Sequence, residues 1–278
     1  MCRKLFLLVL VLGLVGTASA APTWIGTVSR AWGTGGNWTG GAIPGTGDSP
    51  LVSWKNTDTV PFTPLISTED ITVGKLNIAG TDGSGYLEMT GGSLYVLPGD
   101  GMLIGNSSRS AYAQMDISGG ALTVEDDLRI GRRSLFTFNQ TGGTVDVIKF
   151  KPGARTQDPA HDLVGVTRIN LDAGLLNADY VAFYQRVSIH LGDATMVIDS
   201  TAGVQVPTAI DAEVDAAIAN GSLKAYGVKS GTVIGSVTYS IVKSWNAFND
   251  VLTVTAVPEP ATIALLGLGG LALLRRRC

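Results

Sequence analysis

Met115-Asp116-Ile117-Ser118-Gly119-Gly120-Ala121-Leu122-Thr123-Val124 is the stretch whose reading decides the fold. Apolar and polar residues alternate on both sides of a glycine pair, the period of two that marks a half-buried strand. The same order recurs in Leu87-Glu88-Met89-Thr90-Gly91-Gly92-Ser93-Leu94-Tyr95-Val96 and in Phe138-Asn139-Gln140-Thr141-Gly142-Gly143-Thr144-Val145-Asp146-Val147. A weaker copy is Ile169-Asn170-Leu171-Asp172-Ala173-Gly174-Leu175-Leu176-Asn177-Ala178. The second glycines stand at 92, 120, 143 and 174, so the copies lie 28, 23 and 31 residues apart. Between them, Met102-Leu103-Ile104-Gly105 matches Leu128-Arg129-Ile130-Gly131.

Each copy reads as strand, Gly-Gly turn, strand. Leu87, Met89, Leu94 and Val96 should face one core, with Met115, Ile117, Leu122, Val124, Phe138, Val145 and Val147 repeating that face. Asp116 and Thr123 should point outward. The glycines supply positive φ, or remove side-chain bulk, where the chain bends. One such unit cannot bury its own apolar face, whereas stacked units can. The expected fold class is all-β: a β-solenoid or β-helix-like repeat body over residues 76–205, with a meandering β-sandwich as the alternative. The units resemble the glycine-rich β repeats of autotransporter-associated and other surface proteins.

The flanks read as caps. Residues 21–75 form an expected N-terminal β cap containing Trp32-Gly33-Thr34-Gly35-Gly36-Asn37-Trp38 and Ile43-Pro44-Gly45-Thr46-Gly47-Asp48. This opening resembles the tryptophan-containing lead-in of repeat-rich surface proteins. Residues 206–255 form an expected C-terminal cap. Ile210, Val214, Ala217 and Ile218 have helical spacing, with Gly221 as the stop, and strands are expected at 224–228, 236–243 and 251–257.

The two ends carry addresses. Met1-Cys2-Arg3-Lys4 precedes an apolar run over 5–15 and the small-residue pattern Ala18-Ser19-Ala20. That is a signal peptide over 1–20, cut by signal peptidase so that the exported chain begins at Ala21. Cys2 precedes the apolar run, so it is not a lipoprotein cysteine. At the other end, Val257-Pro258-Glu259-Pro260 is followed by an apolar run over 261–274 and by Arg275-Arg276-Arg277-Cys278. Fourteen residues make about 21 Å of helix at 1.5 Å each, short of the roughly 30 Å hydrocarbon core. The run is apolar all round, unlike an amphipathic core helix. The three arginines should stay cytoplasmic while the upstream body goes outside.

Pro258-Glu259-Pro260-Ala261-Thr262, then Leu265-Leu266-Gly267-Leu268-Gly269-Gly270-Leu271 and the Arg cluster, resemble the PEP-CTERM sorting domain, here over 256–278. The same tail is also labelled an ice-binding-protein C-terminus, although nothing in its chemistry binds ice. The resemblance implies recognition by an exosortase, a membrane transpeptidase, and processing near Pro258, Glu259 and Pro260. The protein would sit in the inner membrane transiently and then be released or attached at the cell surface, with exopolysaccharide as a further partner. Cys278 departs from the usual all-Arg ending.

Composition narrows the rest. Both cysteines lie in the expected removable ends, so the body has no disulfide and no thiol chemistry. Residues 21–256 carry 15 Lys and Arg against 22 Asp and Glu, a net charge of −7 that argues against nucleic acid as a partner. Glycine, at 36 residues, points to strands and turns.

Chemistry-bearing clusters are few. His161 and His190 are isolated. Gly45-Thr46-Gly47-Asp48 and Pro98-Gly99-Asp100-Gly101 lack the ligand ladder of a calcium loop and read as turns. Asp126 and Asp127, beside Arg129, Arg132 and Arg133, form the best local cluster; strand alternation places the two carboxylates on opposite faces. Trp32 and Trp38 could stack on sugar rings or seal the end of a core. No catalytic residue, metal or cofactor is expected. The expected function is an exported structural protein of the cell surface or extracellular matrix. The alternative is a carbohydrate-binding module, or a β-helix enzyme acting on polysaccharide, delivered by the same tail.

Overall fold

A computed structural model of the chain describes residues 20–54, 62–80, 83–99, 101–105, 112–131, 135–153, 167–184, 186–201, 203–226, 228–234, 237–246 and 250–258. The described chain is predominantly β, with 58% strand and 8% helix. The strands are β1 (Leu51–Val52), β2 (Leu65–Ile66), β3 (Asp70–Val73), β4 (Leu76–Ile78), β5 (Gly85–Val96), β6 (Met102–Ile104), β7 (Tyr112–Ile130), β8 (Leu135–Pro152), β9 (Thr167–Val181), β10 (Val187–Leu191) and β11 (Thr195–Asp199). After helix α1 (Pro207–Ala219) come β12 (Leu223–Ala225), β13 (Val228–Lys229), β14 (Thr232–Ile234), β15 (Val237–Asn246) and β16 (Val251–Pro258). Hydrogen bonds join them into one sheet of 16 strands.

The long strands stack in parallel, copy on copy. Met115 of β7 pairs with Leu87 of β5 and with Phe138 of β8, which in turn pairs with Ile169 of β9. Beyond the glycines, Leu94, Leu122, Val145 and Leu176 form a second such row. Leu76, Met102, Leu128 and Phe150 form a third. All of these side chains are buried, so each rung contributes inward residues to a shared interior.

The glycine pair explains how one strand feeds two of these rows. Met89 and Leu94 are five residues apart, so in a straight strand they would face opposite sides. Both are fully buried. The second glycine of every copy has positive φ: 64° at Gly92, 80° at Gly120, 68° at Gly143 and 92° at Gly174. A left-handed residue there turns the chain and restores the inward phase.

The third copy departs from its apolar pattern. Gln140 occupies the row held by Met89, Ile117 and Leu171, and it is fully buried. Its Nε2 donates to the Leu175 carbonyl at 2.9 Å and to the Gly143 carbonyl at 3.3 Å, tying the corner to the next rung.

The N-terminal segment closes one end. Trp24, Trp32 and Trp38 are buried and edge-packed, with ring centroids 5.1 and 4.6 Å apart. Asn37 is wholly buried beside them: its Oδ1 accepts from the backbone N–H groups of Val28 and Ser29, and its Nδ2 donates to Ser29 Oγ and the Ala31 carbonyl. Every polar valence of that side chain is thereby used, which is what burial of an amide requires.

At the other end the pairing changes sense. Helix α1 buries Ile210, Val214 and Ala217, with Ile218 packed beside them, and Gly221 at φ 76° follows it. β12 extends the first row by pairing with β10. β16 lies antiparallel to β11, and β15 antiparallel to β16. Lys243 of β15 reaches Asp211 of α1 at 2.6 Å and so ties the helix to the hairpin. Residues 1–19 of the expected signal segment, Glu259 and Pro260, and the apolar tail over 261–274 lie outside the described residues; among those described, no helix is long and apolar enough to cross a membrane.

Candidate functional site

Four regions could carry chemistry: the sorting end of β16, two clusters of outward side chains, and the tryptophan cluster.

Of the sorting residues, only Pro258 is described. It is the last residue of β16 and stands opposite Tyr239 in β15. Proline has no N–H to give to the ladder, so Pro258 cannot donate to β15. Glu259, Pro260, Arg275, Arg276 and Arg277 lie outside the described residues. At the other terminus Ala18 does too, whereas Ala20 and Ala21 are exposed. Leu51 N donates to the Pro22 carbonyl at 2.8 Å, so the chain just after the expected cleavage position is already hydrogen-bonded to β1.

The first outward cluster follows the second copy. Asp127 is 3% exposed, and its carboxylate accepts from Lys151 Nζ at 2.8 Å and from the Arg129 guanidinium. Burial pushes the Asp127 carboxyl up, but hydrogen bonds and charge from Lys151 and Arg129 outweigh it and hold its pKa below the usual carboxylate value. Lys149 Nζ reaches both Asp126, at 3.1 Å, and Asp127, at 3.6 Å. The two carboxylates therefore share one cation. The register shift between Val124 and Asp127 breaks the simple alternation that separates them on paper. Lys149 and Lys151, one rung away, were missed in the sequence because nothing local links them to Asp127. Arg132 and Arg133 lie outside the described residues.

The second cluster is on the strand that precedes the glycines. Glu88 and Asp116 are register partners on adjacent rungs, so two carboxylates stand side by side. Tyr86 Oη donates to Asp116 at 2.7 Å and lies 3.5 Å from Glu88. Partial burial and the Asp116 carboxylate push the Tyr86 phenol well up. Asp116 also accepts from Gln114 Nε2 at 2.7 Å and from Asn139 Nδ2 at 2.7 Å, while Asn170 Nδ2 donates on to Asn139. Glu88 is ion-paired with Arg30. The repeat alignment already held the signal for this pair, because Glu88 and Asp116 occupy the same position in copies one and two.

The remaining positions resolve simply. Trp32 and Trp38 are buried against each other and Trp24, so neither offers a face to a sugar ring. His190 Nε2 lies 3.2 Å from Ser188 Oγ, and burial with nearby Lys224 lowers its pKa; His161 lies outside the described residues. Asp48 Oδ2 accepts from Gly45 N at 2.8 Å, which makes that segment a self-bonded turn. Among the described residues no group of three or more His, Cys, Asp and Glu could hold a metal ion.

A family model described as the PEP-CTERM protein-sorting motif matches residues 256–277. Such a motif marks an exported protein that an exosortase sorts toward the cell surface. The matched segment begins inside β16, whose last three residues, 256–258, belong both to the strand and to the motif. No curated protein and no solved structure matches the chain.

Proposed function

We propose that the chain is a structural protein of the cell surface or extracellular matrix, without catalytic activity of its own, whose body is a β-solenoid delivered by its sorting tail. The observation that carries this reading is how the outward polar groups are used. The Asp116 and Asp127 carboxylates are each saturated by donors from their own and neighbouring rungs, so they serve as inter-rung ties. A catalytic carboxylate needs a lone pair or proton free for substrate. The parallel register from β5 to β9 supports the solenoid reading, because each rung finds its partners only in its neighbours. In this reading signal peptidase frees Ala21, the tail holds the chain in the inner membrane, and an exosortase then processes it near Pro258-Glu259-Pro260. Exopolysaccharide is the natural neighbour of a protein delivered this way.

The test is fractionation of a host that has an exosortase, with intact-mass analysis of the mature form. The expected species starts at Ala21, ends near Pro258 and is found at the surface or in the medium. A full-length chain retained in the cytoplasm overturns the reading.

One observation favours a second reading, a body that acts on carbohydrate: the adjacent carboxylates of Glu88 and Asp116. In that case Glu88→Gln would abolish a hydrolytic or binding activity while leaving folding intact.

A further inference from the structure

We infer that the last three residues of β16 must leave β15 before the exosortase can process the chain, so the C-terminal hairpin controls access to the sorting motif. This rests on the exosortase-sorted reading above and specifies how that enzyme meets its substrate.

The register carries the inference. β16 is flanked by β11 on one side and β15 on the other, but the two neighbours end at different places. Pairing with β11 runs from Asp199↔Val251 to Thr195↔Thr255 and stops there. Pairing with β15 continues through Ile241↔Ala256 and Ser240↔Val257 to Tyr239↔Pro258. Residues 251–255 are thus held between two strands. Among the described residues, Ala256, Val257 and Pro258 have ladder partners in β15 and none in β11, although Ala256 is also buried against the core.

The matched motif starts at residue 256, and its Pro-Glu-Pro starts at Pro258, which is itself paired in β16, so no spacer separates the motif from the strand. A transpeptidase takes its peptide extended through a cleft and grips backbone on both sides of the bond it attacks; recognition of an extended peptide is generally by main-chain hydrogen bonds. The residues it must grip upstream of Glu259 are those whose backbone is engaged with Tyr239, Ser240 and Ile241. The fold makes these three the easiest part of β16 to release, because only one ladder opposes it and the terminal proline donates nothing to that ladder. The doubly paired segment ending at Thr255 sets the limit of the peeling and keeps the body folded while its end is in the enzyme.

The experiment clamps the hairpin. Ser240→Cys and Val257→Cys together place two thiols at a register pair, in a chain whose own cysteines, Cys2 and Cys278, both lie outside residues 21–256. The double variant is expressed in an exosortase-containing host, with processing followed by mass and by immunoblot. A further variant adds six Gly and Ser residues between Val257 and Pro258 of the clamped chain. The expected result is at least tenfold slower processing of the oxidised clamp, recovery on adding a membrane-permeant reductant, and normal processing of the clamp that carries the spacer. Wild-type processing of the verified oxidised clamp overturns the inference, as does a clamp that the spacer does not rescue. The outcome is separable from the sorting reading itself. If the unmodified chain is not processed in this host, or is processed equally well after replacement of Pro258, Glu259 and Pro260 by alanine, it is the exosortase assignment that fails.

Discussion

Gly143 sits so closely against Gly120 that a Cβ added to Gly143 would lie 2.6 Å from the Gly120 carbonyl oxygen. The same relationship joins Gly120 to Gly92 and Gly174 to Gly143, each at 2.5 Å. The second glycine of each copy is thus required twice: once for its left-handed backbone, and once because the preceding rung occupies the space of a side chain.

Gly143→Ala should therefore destabilise the body by more than the roughly 1–2 kcal/mol of left-handed strain alone. Gly45→Ala is the control: it has ordinary φ and nothing within 4 Å of an added Cβ, so it should change stability by less than about 0.5 kcal/mol. Chemical denaturation of residues 21–256 measures both. Equal effects would mean that the glycine ladder does not set the spacing of the rungs.

Inward and outward positions of the second copy should separate, although not as alternation alone suggests. Ile117→Ala should cost about 2–5 kcal/mol, the usual range for emptying a core site. Thr123→Ala should cost under about 0.5 kcal/mol. Alternation puts Asp116→Ala in that same cheap class. The hydrogen bonds from Tyr86, Gln114 and Asn139 revise this to about 1–3 kcal/mol, since charge-assisted bonds would be broken. A neutral Asp116→Ala would show that the ladder contributes no net stability.

Asp127 gives a pH dependence of known sign. Its folded pKa lies below its unfolded value, so its contribution is present above the ordinary carboxylate range and is lost as pH falls through the folded pKa. Asp127→Asn should lower the melting temperature at pH 7, and the gap to wild type should narrow as pH drops from about 5 toward 2. A constant gap across that range would mean that packing, and not the charge, holds this residue.

Asp179 should behave in the opposite way. Burial and the neighbouring Asp199 charge raise its pKa, so its ionised form opposes folding as pH rises. Asp179→Asn should raise the melting temperature at pH 7 and make no difference near pH 3, where the carboxyl is protonated in both states. Thermal melts at the two pH values decide it.

Removing a whole rung should be tolerated better than removing part of one. Tyr112 and Leu135 are register partners, so deleting residues 112–134 joins the chain one rung on. That variant should still unfold cooperatively, at a lower midpoint, whereas deleting 112–123 should abolish folding. The solenoid reading fails if the two deletions are equally damaging.

Much of this was legible in the chain itself. The inward residues of the first three copies, from Leu87 to Val147, follow from period-two alternation because the choice of face is a local property of an extended strand. The helix over Ile210 and Val214, its glycine stop and the sorting tail were readable for the same reason: capping, helical spacing and an end-of-chain address are encoded within a few residues. What the chain alone could not decide is which outward groups meet. Lys151 lies 24 residues from Asp127, and Asn139 lies 23 from Asp116, yet each pair is in hydrogen-bond contact. Those partnerships depend on how many residues loop out between rungs, a number that varies from copy to copy and sets the register. The burial of Gln140 in an otherwise apolar row and the single-sided hold on residues 256–258 belong to the same class. Alternation fixes the side on which a residue lies, but only the stacking of distant strands decides what it touches there.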